Sequence, residues 1–192
     1  MPSLAPAARN EPRRTDSRIT KQRLIEAVGE WVAAHGSAPG RLADLAAVSG
    51  VSVATAYRHF ASMDDAVRAY VLRLPEQAAR RFARTDRSSM DALERFHVWN
   101  RAWVRASIDQ GSVAVHLRSP RGFLERRAAH EQTVTFVCER VEPLLQPLVD
   151  DVVPALVVWN AVSDPREVID LHHTMRWSQD RVARFITDRT LA

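Results

Sequence analysis

Between Leu42 and Phe60 the sequence reads "LADLAAVSGVSVATAYRHF", two helical patterns of less than three turns each with Gly50 between them. Helices this short are marginal alone and need tertiary packing, so the turn joining them restricts the fold more than any other feature. Glycine adopts a left-handed backbone without strain, which suits Gly50 as the stop of one helix. Ser52 suits the start of the next, because its hydroxyl can accept from the amide of Ala54 or Thr55. Leu42, Leu45 and Ala46 face inward from the first segment, read as 41–49. Two short helices on a tight glycine turn form a helix-turn-helix.

Helical spacing continues on both sides. Leu24, Ala27, Val28, Trp31 and Val32 recur at i, i+3 and i+4 and predict a first helix, with Asp16 or Ser17 as its cap and Gly36 just past its end. Ser62 or Asp64 starts a fourth helix that leads to Pro75, read as the first turn of another. Long amphipathic helices are predicted over "SSMDALERFHVWNRAWVRASI" and "GFLERRAAHEQTVTFVCERVEPLL". Asp164, Pro165 and Glu167 give a strong helix start, and Ser178 gives another. Alternating β patterns never exceed a few residues. The expected fold is all-α: residues 1–16 a disordered arm, 17–62 a helix-turn-helix domain, and 63–192 a larger helical domain.

Composition narrows the classes. Of the net charge of +4, residues 1–60 carry +3, a mild positive end suited to a polyanion. Cys138 is the only cysteine, so no intrachain disulfide forms, and in the apolar run "TVTFVCERV" it reads as a packed thiol. The N-terminus lacks the apolar segment of a signal peptide, and no apolar run reaches the roughly 18 residues of a membrane span. A cytoplasmic protein without membrane contact is expected.

With Val51, Ala56 and Phe60 assigned to the core, Val53, Ala54, Tyr57 and Arg58 share the opposite face of the third helix. Small side chains there allow close approach to a major groove, where Val53 and Ala54 can meet thymine methyls and Arg58 guanine edges or a phosphate. Thr55, Tyr57 and His59 carry donors suited to backbone phosphates. The competing reading makes Tyr57 and His59 simple caps of the helix.

"RLADLAAVSGVSVATAYRHFASMDDAV" resembles the DNA-binding signature of TetR-family repressors, through Leu45, Ala46, Gly50, Val51, Ser52, Thr55, Tyr57, His59 and Phe60. The specific resemblance spans roughly residues 17–68. It implies that Thr55, Tyr57 and His59 contact phosphates, while Val53, Ala54 and Arg58 help choose the operator. Met63 stands where the family has a phosphate-gripping lysine, and Ser49 where it has alanine. Arg41 and Ala43 replace a Thr and an Arg, with Arg41 a candidate for a displaced phosphate contact.

The resemblance further implies a homodimer built from the last two long helices and a small-molecule effector held by the middle ones. Leu156, Trp159, Asn160, Leu171, Val182 and Phe185 are the expected dimer residues. Pairing also has a physical motive, since one helix-turn-helix makes too few contacts for selective binding and two must lie about 34–36 Å apart. Candidate effector contacts are His97, Trp99, Trp103 and His116, with Arg118 and Arg121 placed to meet an acidic group. Tryptophans at helical spacing serve a core equally well. His172 and His173 are adjacent, point to different helix faces and make no metal site. No cofactor and no catalytic residue is expected, since Gly-rich phosphate loop, G-x-S-x-G elbow and metal cluster are all missing. A dimeric repressor released from a pseudo-palindromic DNA operator by an effector fits best. The other classes are a helical protein-interaction module and an enzyme with an incidental helix-turn-helix.

Overall fold

The computed structural model describes residues 11–111, 113 and 119–192, with side chains from Asp16 onward. It is all-α, with no strand among the described residues. The helices are α1 (Glu11–His35), α2 (Leu42–Ser49), α3 (Val53–His59), α4 (Met63–Arg84), α5 (Ala92–Gln110), α6 (Phe123–Ala128), α7 (Gln132–Leu145), α8 (Val152–Val162), α9 (Pro165–His173) and α10 (Gln179–Leu191). No helix among the described residues is long and apolar enough to cross a membrane. The chain divides into two compact units, one ending at Tyr70 and the other comprising Val71–Ala192.

The first unit packs α2 against both α1 and α3. Leu24, Ala27, Val28 and Val32 of α1 are buried with Leu42, Leu45, Ala46, Ala56, Phe60 and Ala66. Trp31 lies at the margin, stacked on His35 with ring centroids 4.2 Å apart. The first helix starts earlier than its predicted cap. It runs from Glu11, so residues 11–16 belong to a helix rather than to a disordered arm. Pro12 accounts for the difference, because proline in a first turn has the right φ and lacks only an amide that would go unused. The remainder of that arm, residues 1–10, lies outside the described residues.

Gly29 lies close against the ring of Tyr70. A Cβ added there would stand 2.6 Å from Cε2 and 2.8 Å from Oη of Tyr70, whose side chain is buried. Alanine in a helix gains at most about 1 kcal/mol over glycine, whereas forcing a methyl into a filled site costs about 1–3 kcal/mol. Gly29→Ala is therefore expected to lower stability in urea unfolding. In a Tyr70→Ala background the same change should become neutral or stabilising, and an equal loss in both backgrounds would contradict this packing.

The second unit is built around α5, which packs on α7, α9 and α10, while α10 also lies against α8. Asp91 caps α5 in a reciprocal box: its carboxylate accepts from the Glu94 amide at 2.8 Å, and Glu94 accepts from the Asp91 amide at 3.0 Å. Phe96, Trp99, Val104, Val141, Leu145, Leu156, Trp159, Val168, Val182 and Ile186 form the core. Asp164 and Ser178 cap α9 and α10 as the sequence predicts, accepting from the amides of Arg166 and Arg181.

Two predicted boundaries differ. Pro75 does not start a helix; α4 runs through it, because Leu74 and Ala78 are both buried and hold the segment in one register. The helix predicted over 122–145 breaks into α6 and α7 at His130, which takes a left-handed φ of 50°. The break is held by Glu131, whose carboxylate receives Arg126 at 2.6 Å and Arg121 at 3.2 Å.

Candidate nucleic-acid interface and ligand cavity

The turn before α3 is set by backbone hydrogen bonds. Gly50 is left-handed at φ 65°, its amide donates to Ala47 and the Val51 amide donates to Ala46, which closes α2. Ser52 then accepts from the Thr55 amide at 3.1 Å and opens α3. This geometry turns Ala56 and Phe60 inward, at 0% and 5% exposure, and leaves Val53 and Tyr57 outside at 44% and 58%. Ala54 and Arg58 are exposed beside them, while Thr55 and His59 are half-buried. The four residues read as one face from the sequence do share one face of α3. Val51, assigned to the core, is only partly covered.

Small polar bonds preset this face. The Thr55 hydroxyl lies 2.8 Å from Ser52 Oγ and accepts from the Arg58 guanidinium at 3.0 Å. His59 titrates below its ordinary value, first because it is partly desolvated and then because Arg58 and Lys21 repel a proton. The imidazole is thus neutral near pH 7 and offers a hydrogen bond rather than a cation. Arg41 is the N-cap of α2 but makes no side-chain capping bond; its guanidinium pairs with Asp44 at 3.2 Å. Exposed pairs contribute only about 0–1 kcal/mol, so that guanidinium can exchange its partner cheaply.

The second unit contains a cavity of ≈ 130 Å³, lined by Leu74, Trp103, Phe123, Val137, Trp159 and Asn160 among others. Among the described residues, Trp103 is the one proposed effector contact found there. Trp99 is buried in the core and does not line the cavity. His97 is turned towards α10, with Nδ1 3.3 Å from Thr187 Oγ1 and Nε2 3.4 Å from Asp180 Oδ1. His116 and Arg118 lie outside the described residues, and Arg121 is engaged by Glu131.

The dimer residues need a larger correction. Leu156, Trp159 and Val182 are 0%, 2% and 0% exposed within their own unit. They are core, so no partner can reach them. Trp159 donates to Asn100 at 2.8 Å and meets Trp103 edge-on, with centroids 5.0 Å apart. Asn160 is half-buried on the cavity wall. Leu171 and Phe185 are also half-buried, Phe185 against Trp177. The apolar surface that α8 does present consists of Val153, Pro154, Val158 and Ala161, with Val157 partly covered.

Cys138 is buried, and desolvation, followed by the nearby Glu142 charge, pushes its thiol pKa up. No group of three or more His, Cys, Asp or Glu suited to a metal occurs among the described residues.

No protein-family model and no curated protein sequence matches the chain. Solved structures do. The fatty acid degradation regulator FadR from Bacillus halodurans superposes with a TM-score of 0.64 at 13% identity, covering 90% of this chain and 95% of its own. A TetR family transcription regulator from Marinobacter aquaeolei gives 0.61 at 17% identity, covering 94% and 96%. The fold is that of TetR-type regulators. The TetR-like regulator LfrR from Mycobacterium smegmatis, solved in complex with proflavine, gives 0.54 at 18% identity over 89% and 93% of the two chains. In this TetR-type fold α2 and α3 form the helix-turn-helix, and the cavity belongs to the helical second unit.

Proposed function

We propose that the protein is a dimeric DNA-binding transcriptional regulator, a repressor released from a pseudo-palindromic operator by a small molecule. The observation that carries the proposal is the face of α3, where Val53, Ala54, Tyr57 and Arg58 stand exposed over the buried Ala56 and Phe60. Exposing a valine and a tyrosine on a seven-residue helix contributes nothing to the unit's core. In a major groove the same face supplies methyl contacts, a phenol and a guanidinium. Thr55, His59 and Arg41 then serve the flanking phosphates.

Pairing is assigned to the apolar stripe of α8, in which Val153, Val158 and Ala161 are exposed and Val157 is partly covered, rather than to the buried residues beneath it. The partly exposed Leu171 and Phe185 remain candidate contributors. LfrR holds a small molecule in the same fold, which supports the cavity as the effector site. An effector acts by favouring the state in which the two recognition helices are wrongly spaced for DNA.

Gel shifts with the DNA upstream of the protein's own gene test the proposal. A discrete complex is expected, weakening steeply between 50 and 200 mM salt as phosphate contacts are screened. Sedimentation should show a dimer at micromolar concentration and a monomer for Val158→Arg, with operator affinity falling in step. A wild-type monomer that still forms a sequence-specific complex would refute the pairing.

A further inference from the structure

The cavity in the second unit measures ≈ 130 Å³. A core cavity of about 150 Å³ takes one benzene ring, whereas drug-sized ligands occupy about 300–1,000 Å³. A volume of this size accommodates a single ring with a small substituent.

The wall restricts it further. Trp103 and Trp159 line the cavity, but both indole N–H groups are committed, to Ser163 O at 2.7 Å and Asn100 Oδ1 at 2.8 Å. They present carbon surface to a ligand. Each lining charge already has a partner: Arg126 binds Glu131 at 2.6 Å, a carboxylate it shares with Arg121, and Arg166 grips Asp164 through two nitrogens at 3.1 and 3.2 Å. By contrast, the amide of Asn160 and the hydroxyl of Thr133 line the cavity and make no side-chain hydrogen bond among the described residues. Among the described residues, the polar groups left for a ligand are therefore neutral ones.

We infer that the cavity binds an uncharged, single-ring aromatic compound carrying one hydroxyl or carboxamide group directed at Asn160. This deepens the effector reading above and rests on it. An ionised analogue would be stripped of water beside guanidinium groups that already bind carboxylates. A neutral substituent exchanges water for the two-sided hydrogen bonding of a carboxamide side chain.

Calorimetry and tryptophan fluorescence on the full chain test this with benzamide, phenol, toluene, benzoate and benzylamine. Benzamide and phenol are expected to bind about tenfold or more tightly than benzoate and benzylamine, the size of one net hydrogen bond. Asn160→Leu should remove the advantage of benzamide over toluene while leaving toluene within about twofold. Tightest binding by benzoate or benzylamine, no response to Asn160→Leu, or no binding by any of the five would overturn the inference. Gel shifts run in parallel separate it from the regulator reading. Benzamide that binds without altering DNA affinity supports the cavity assignment and removes the effector role. A charged ring that releases DNA keeps the effector role and overturns the ligand class.

Discussion

Replacing Tyr57 and Arg58 together by alanine is expected to reduce operator binding to the level of random DNA without unfolding the protein. Both side chains are exposed on α3, and surface substitutions of this kind usually change stability by about 0.5 kcal/mol or less. The expected loss in binding is far larger. A well-placed arginine on a base contributes about 1–3 kcal/mol, and a hydrogen bond to a charged phosphate about 1.5–3 kcal/mol. A symmetric dimer loses both twice. Specific binding typically exceeds non-specific binding by about 4–10 kcal/mol, so the double substitution removes most or all of that margin. Fluorescence anisotropy on the operator and on a scrambled duplex measures it, with circular dichroism as the control for folding. Retained discrimination would mean that another surface reads the DNA.

Trp159→Ala is expected to produce the largest loss of stability of any single change considered. The ring is 2% exposed, packs edge-on against Trp103, and donates to an asparagine that is itself fully buried. Truncating a buried tryptophan costs about 3–5 kcal/mol, and here Asn100 Oδ1 also loses its donor. Trp159→Phe separates the two effects, because it keeps most of the packing and removes only the bond, worth about 1–3 kcal/mol when a buried acceptor is stranded. Chemical denaturation should rank wild type above Phe and Phe above Ala. If Trp159 instead lay between two copies of the chain, both variants would shift the dimer equilibrium and leave monomer stability nearly unchanged.

That contrast shows where the sequence is explicit and where it is silent. The face of α3 is legible because its limits are chemical: Gly50 is left-handed, Ser52 caps Thr55, and the seven residues between Ser52 and Phe60 fix which side is buried. The orientation of α8 is not legible. "VVPALVVWNAV" is apolar on nearly every side, so periodicity cannot separate Leu156 and Trp159, which are core, from Val153 and Val158, which are exposed. The all-α class and the caps at Asp164 and Ser178 follow from local patterns. The break between α6 and α7 at His130 does not, since a left-handed histidine carries no glycine or proline signal and depends on the Glu131 ion pairs. The cavity draws its lining from α4 through α9, separated by long stretches of chain, and the sequence pattern assigns Trp103 to an effector but Trp159 and Asn160 to a dimer.

Hydroxyl-radical footprinting of the protein on its upstream DNA tests the central claim most directly. Two helices α3 held by a dimer should protect two patches on one face of the duplex, centred about 34–36 Å apart or a multiple of that distance. Both patches should vanish with Tyr57→Ala/Arg58→Ala. Protection that is unchanged in the double variant, or spread evenly along the duplex without a sequence-defined pair of patches, would contradict the assignment of α3 as the element that enters the groove.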